Sequence, residues 1–289
     1  MDEARSEKDI QYPNPEIKVI LQQHGKTDRT RPHKDDPEEL KVKAGWLTPE
    51  GVEEAKATAR QKAEEILALE KDVTFFFINS PSVWFSEGLA YGRRAEQTAR
   101  ISAQEIKAVI EEHNLSQEQV EIYEFVKSSL KGTKQSIQDT KPHGLLAEPD
   151  LYYVNYAPNP TGYHNALVEK YGEKWEEGFH KMEKDLEEIR KNTGAHSSEE
   201  VARDVISLMR LIERYARFYS KHHPNRLLVF WLDTHGDKMR SVLQYGLGVG
   251  KEAIGHTFVT TGSLDLQIND GVLSTNFKDK PYEVDLHSE

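Results

Sequence analysis

Two apolar runs in this chain of 289 residues end in the same way. Ile17-Lys18-Val19-Ile20-Leu21 leads into Gln22-Gln23-His24-Gly25-Lys26-Thr27, and Leu227-Leu228-Val229-Phe230-Trp231-Leu232 leads into Asp233-Thr234-His235-Gly236. Short, continuous runs of β-forming apolar residues read as buried strands of a parallel sheet. In open α/β sheets, ligands bind beyond the carboxyl ends of such strands. Two strand-then-His-Gly units, far apart in sequence, can therefore meet at one rim of one sheet. If they do, the rings of His24 and His235 lie within about 4–7 Å of each other, close enough to touch a single ligand group.

The segments between them supply the rest of such a fold. Thr48 is a good N-cap with Pro49 at the first helical position, and Val52, Ala55, Ala59, Ala63 and Ile66 keep helical spacing to about Leu69. Asp72 to Ser80 is a second, nearly all-apolar strand, followed by a loop with Pro81, Gly88 and Gly92. A helix opens near Arg93-Arg94 and runs through Ile106 and Ile110, and Val120 to Val126 is a weaker third strand. Residues 128–172 are irregular, and two helices follow, one through Trp175, Phe179 and Ile189 and one from Ser197 through Val201, Leu208 and Tyr219. His256 to Thr260 and Leu264 to Ile268 read as strands, and Asn269-Asp270-Gly271 is a hairpin turn into Val272 to Phe277. Strands alternating with helices give an α/β fold: a mainly parallel sheet sandwiched between helices, with an inserted cap region and a C-terminal hairpin. The expectation is a single domain over 1–289, with a cap inserted at 128–200 and a flexible tail at 1–12.

Composition narrows the function classes. The chain contains no cysteine, so disulfides and thiolate chemistry are excluded. With no apolar leader at Met1 to Gln11, the expected location is cytoplasmic. No run approaches the roughly 18 apolar residues of a membrane span. The net charge of −11 argues against nucleic acid and anionic lipid as partners. Against that background the turn after the first strand is basic, with Lys26, Arg29, Arg31 and Lys34, a pattern suited to a specific anion or to a solvated loop. Gly25-Lys26-Thr27 is not a P-loop, because Ile20 stands where that motif needs glycine. His222-His223 at a helix end lack metal-ligand spacing, and no metal or organic cofactor is expected.

Four motifs in order resemble those of the histidine phosphatase superfamily, the phosphoglycerate-mutase-like clan, in its branch 1 type. They are Gln23-His24-Gly25-Lys26-Thr27; Leu47-Thr48-Pro49-Glu50-Gly51 through Ala55; Ser80-Pro81 with Arg94-Ala95-Glu96-Gln97-Thr98-Ala99; and Thr234-His235-Gly236. The resemblance implies phosphate-monoester hydrolysis, or transfer to a second hydroxyl as in a phosphomutase, on a small phosphorylated substrate. It implies His24 as the nucleophile that forms a phosphohistidine, Arg94 as phosphate clamp, and His235 as donor to the transferring group. A general acid is implied after the third strand, with Glu148 the best match and Asp150 the alternative. Gln23, Gly25, Lys26 and Arg29 are the expected phosphate-binding residues.

Two departures stand out. Gln23 occupies the place of the family's first arginine, and losing one charged donor from a preorganised phosphate site costs about 2–4 kcal/mol. Lys26, Arg29, Arg31 or Arg93 could restore the charge. The run from Ser80-Pro81 to Arg94 is longer than in the family pattern, and its Trp84, Phe85 and Tyr91 suit a lid or a partner surface. The rival reading is a catalytically weakened or inactive relative that binds a phospho-ligand or a protein partner.

Overall fold

The computed structural model describes residues 14–28, 45–79, 84–86, 89–91, 94–125, 197–255 and 262–288, with single positions between. In chain order these form β1 (Glu16–Gln23), α1 (Pro49–Leu67), β2 (Val73–Asn79), β3 (Trp84–Ser86), β4 (Leu89–Tyr91), α2 (Arg94–Glu112) and β5 (Val120–Phe125). There follow α3 (Ser198–Ser220), β6 (Leu227–Thr234), α4 (Gly236–Ser241), a π-helical turn (Val242–Gly246), α5 (Lys251–Ile254), β7 (Ser263–Asn269), β8 (Val272–Phe277) and β9 (Lys280–Asp285). The tail at 1–12, the strand at 256–260, the helix through Trp175 and nearly all of the 128–200 cap lie outside the described residues.

Seven strands form one sheet in the order β5-β2-β6-β1-β7-β8-β9. Its first four strands run parallel, and the last three join antiparallel. The fold class is thus the expected α/β sheet with helices on both faces. Alternation along the strands sorts the side chains. Ile17, Val19, Leu21, Phe76, Phe230 and Leu232 face α3, meeting Val205, Leu208, Met209 and Ile212. Ile20, Phe75, Phe77, Val229 and Trp231 face the other way, onto Ala59, Ala63 and Ile66 of α1 and Ala103, Ile106 and Val109 of α2. The alanines of α1 let that helix lie close to the sheet.

Caps fall where the side chains provide them. Thr48 accepts from the Gly51 N–H at the start of α1, and Ser197 and Glu200 form a reciprocal capping box at the start of α3. The turn between β7 and β8 has positive φ at both Asp270 and Gly271, as a two-residue hairpin with right-handed strand twist demands.

Two features depart from the expectation. The stretch after Pro81, read as loop, contains the antiparallel pair β3–β4. The C-terminal hairpin gains a third strand, β9, across a turn with positive φ at Lys278 and Asp279. Lys280-Pro281-Tyr282-Glu283-Val284-Asp285 carries charge and a proline, features tolerated at a sheet edge and absent from the patterns of central strands.

The core is densest around Phe76, which stacks on Phe230 (4.7 Å) and Tyr123 (5.4 Å) and meets Tyr215 and Tyr219 edge-on. Phe76→Ala should therefore lower unfolding free energy by about 3–5 kcal/mol in a denaturant titration. A loss under about 1 kcal/mol would show that this cluster is not the core's centre.

Candidate active site

The site is built by the parallel pairing of β1 with β6. Their register places Gln23 opposite Thr234, so the residues that follow, His24 and His235, leave the sheet side by side. The His24 N–H donates to the Thr234 carbonyl at 3.1 Å, which fixes the two exits together. The imidazole centroids lie 5.0 Å apart, edge to face at 70°. That separation lies within the expected range.

His24 is oriented by its own turn. It is 7% exposed, and its Nδ1 lies 2.8 Å from the Gly25 carbonyl. A carbonyl can only accept, so Nδ1 carries the proton and the ring lone pair lies on Nε2.

The turn after His24 is held by packing that only glycine permits. A Cβ on Gly25 would stand 2.4 Å from the Gly51 carbonyl oxygen, and one on Gly51 would stand 2.1 Å from the Lys26 carbonyl oxygen. Lys26 to Asp28 runs against Gly45 to Thr48 through backbone bonds: Thr48 N–H to Lys26 O, Asp28 N–H to Trp46 O and Gly45 N–H to Asp28 O. Helix α2 ties both strips down. Gln97 accepts from the Leu47 N–H at 2.8 Å, and the Thr98 hydroxyl accepts from the Gly25 N–H at 3.3 Å. That hydroxyl also donates to the Arg94 carbonyl at 2.8 Å, linking the His24 turn to the residue expected to clamp phosphate.

The rim is electropositive. Burial first, and then the charges of Arg94 and Lys238 (and of His24 when it is protonated), hold the His235 imidazole well below its ordinary value of 6.5. His235 is thus neutral at pH 7, with cationic groups gathered around it. Arg94 belongs to this group; Lys26 is exposed and its ammonium pairs with Glu50, which also keeps it protonated. Gln23 donates its N–H to the Gly262 carbonyl at 2.9 Å, and its buried Oε1 has no hydrogen-bond partner among the described residues. Arg29, Glu148, Asp150, Arg31, Lys34 and Arg93 lie outside the described residues, as do the side chains of Trp84, Phe85 and Tyr91. Among the described residues, no group of three or more His, Asp or Glu could hold a metal ion, and no helix is long and apolar enough to cross a membrane.

The motif reading missed three things. Lys238, one turn after His235, is only 2% exposed. Gln22 and Asp233, paired in register directly below the histidines, are both fully buried, and among the described residues neither amide atom of Gln22 has a hydrogen-bond partner. The signal for this pair was present in two apolar strands that each turn polar two residues before their histidine. The positioning roles of Gln97 and Thr98 carried no signal in sequence spacing alone.

No protein-family model matches this chain, and no curated protein sequence matches it. Solved structures of similar architecture include a mycobacterial glucosyl-3-phosphoglycerate phosphatase, with 14% identity, 86% of this chain and 89% of that chain covered, and a TM-score of 0.41. A phosphoserine phosphatase from Entamoeba histolytica aligns at 14% identity over 93% of this chain and 95% of its own, with a TM-score of 0.35. Bacillus stearothermophilus YhfR aligns at 11% identity over 91% and 97%, with a TM-score of 0.36. With TM-scores this low, these likenesses carry no part of the functional argument, which rests on the rim itself.

Two outcomes follow. Gly51→Ala should push the Lys26 backbone out of place, lowering stability by about 1–3 kcal/mol in a denaturant titration; an unchanged midpoint would refute the close approach. The second concerns pH. An unfolded histidine binds its proton near pH 6.5 while folded His235 does not, so below that pH the unfolded state holds more protons and stability falls with acidity. His235→Asn should remove up to one proton's worth of that slope, about 1.4 kcal/mol per pH unit just below pH 6. Identical slopes in variant and wild type would contradict a depressed His235.

Proposed function

We propose that this protein hydrolyses phosphate monoesters through a phosphohistidine on His24. The observation that carries the reading is the pairing of two imidazoles at 5.0 Å, one of them with Nδ1 held as donor to the Gly25 carbonyl. In-line displacement at phosphorus needs such a nucleophile, with positive or donor groups around the equatorial oxygens.

The steps are simple. His24 Nε2 forms a bond to phosphorus as the ester P–O bond breaks, and the departing oxygen takes a proton from Glu148, with Asp150 the alternative donor. Water then attacks the phosphohistidine, the P–N bond breaks, and the same carboxylate takes the water's proton. Arg94 offers paired donors to two phosphoryl oxygens, and His235, neutral in the free protein, contributes its N–H to another. Gly25, Lys26 and Arg29 complete the expected phosphate-binding set. The substrate class is a small phosphorylated molecule, and if a second hydroxyl replaces water the same chemistry gives a mutase. One observation favours a weaker relative that only binds phospho-ligands: Gln23 brings no charge to the place of the expected arginine.

Brief incubation with an aryl phosphate and an alkaline quench should trap label on His24, since phosphohistidine is acid-labile and base-stable. His24→Ala should carry no label. Glu148→Gln should keep the label but lose turnover by about 10²–10⁴-fold, because an aryl leaving group departs with little acid assistance while water still needs a base. Label elsewhere, or equal label in His24→Ala, would refute the nucleophile. A wild type with neither turnover nor label would leave the binding reading.

A further inference from the structure

The outward face of α3 carries a charge pattern that the chemistry at the rim does not use. Val205, Leu208, Ile212 and Tyr219 turn inward onto the sheet. Along the opposite line of the helix stand Arg203, Ser207, Arg210, Arg214, Arg217 and Lys221, a span of about 27 Å at 1.5 Å per residue. Five cations thus share one line of a chain whose net charge is −11. The acids of α3 stand elsewhere: Glu199 and Glu200 in its first turn, where they suit the helix N-terminus, Asp204 beside the line, and Glu213 buried. Surface helices gain from opposite charges three or four residues apart, and like charges at that spacing repel. The helix dipole favours Arg217, which lies in the last turn, but its effect does not extend to Arg203, Arg210 or Arg214.

Two of these side chains are held by the fold. Arg210 donates to the Leu286 carbonyl and, at 3.2 Å, to the Ser288 carbonyl, and Arg217 binds the buried Glu213 at 2.8 Å. They stand on either side of Arg214. Arg203 and Arg214 are exposed, and among the described residues neither guanidinium is paired with an acid. Phe218, one turn after Arg214, is 57% exposed, with its ring 5.5 Å from that of His222.

We infer that this face docks an acidic segment of a partner protein, its carboxylates along the arginine line and an apolar side chain on Phe218. The charge is complementary, and arginine forks grip carboxylates in pairs. Arginine and aromatic residues together are the side chains enriched in protein interfaces. An extended polyanion fits less well. Nucleic acid or an anionic bilayer presents charge over a surface far wider than one helix face, and would meet the acidic remainder of the chain, which a screening length of about 8 Å does not hide at contact.

The test uses the full chain and fluorescence anisotropy of a labelled helical peptide of about 18 residues, long enough to follow the line. The peptide carries glutamates along one face and a single leucine. It should bind wild type with an affinity that falls as salt rises. Arg203→Glu with Arg214→Glu should weaken binding by about tenfold or more, and Phe218→Ala by about fivefold. If the charge-reversed variant does not fold, Arg203→Gln with Arg214→Gln takes its place. Unchanged peptide affinity in the folded variant would overturn the inference, as would tighter binding of a single-stranded oligonucleotide or of phosphatidylserine vesicles than of the peptide. A dimer that the substitutions dissolve would assign the face to a second copy instead. A wild type that ignores the peptide, with a melting temperature that falls in the variant, would assign it to this chain's own acidic stretch from Glu173 to Glu188.

Discussion

Everything at the rim depends on the parallel pairing of β1 with β6. Their eight-residue register, from Glu16 opposite Leu227 to Gln23 opposite Thr234, sets both strand ends at the same height. A slip of one residue would turn every side chain of one strand to the wrong face and carry one histidine away from the other. The apolar alternation guards against that, since Val19 and Phe230 must face α3 while Ile20 and Trp231 face α1 and α2. The burial that stabilises the sheet is therefore also what sets the spacing of the imidazoles. The polar pair Gln22–Asp233 lies where the core gives way to the site, and a buried amide with no partner among the described residues costs about 1–3 kcal/mol if none is supplied. Strain of this kind is common at functional rims.

The second level of organisation is the close approach of Gly25 to Gly51 and the two bonds from α2. Gln97 and Thr98 hold Leu47 and Gly25 from one turn of helix, while Arg94 sits one turn earlier. His24, its backbone acceptor Gly25 and the Arg94 carbonyl are thus parts of one hydrogen-bonded unit. Preorganisation of this sort allows positive groups to act on a developing charge without rearranging at the moment of reaction. His235 is depressed first by its burial and then by the positive groups beside it, Arg94 among them.

Much of this was legible in the sequence, for definite reasons. The strands at 17–22, 73–79 and 227–232 are continuous apolar runs, and Thr48 and Ser197 announce their helices. Convergence of His24 and His235 followed from two like strand ends. What escaped reading depended on tertiary context. Lys238 is charged and follows a His-Gly turn, a pattern that reads as solvated surface until Met239 and Val242 anchor it inward. The ion pair of Lys26 with Glu50 joins two residues distant in the chain, so spacing alone did not show it. The edge strand β9 packs only Tyr282 and Val284 against the core, too short an alternation to stand out beside Pro281 and three charged residues.

A crystal structure with orthovanadate tests the central claim most directly. Vanadium should bond to His24 Nε2 in a trigonal-bipyramidal arrangement, with His235 and Arg94 in contact with its equatorial oxygens and the Nδ1–Gly25 bond retained. Vanadate bound away from the paired histidines, or coordinated through His24 Nδ1 with that bond broken, would contradict the account.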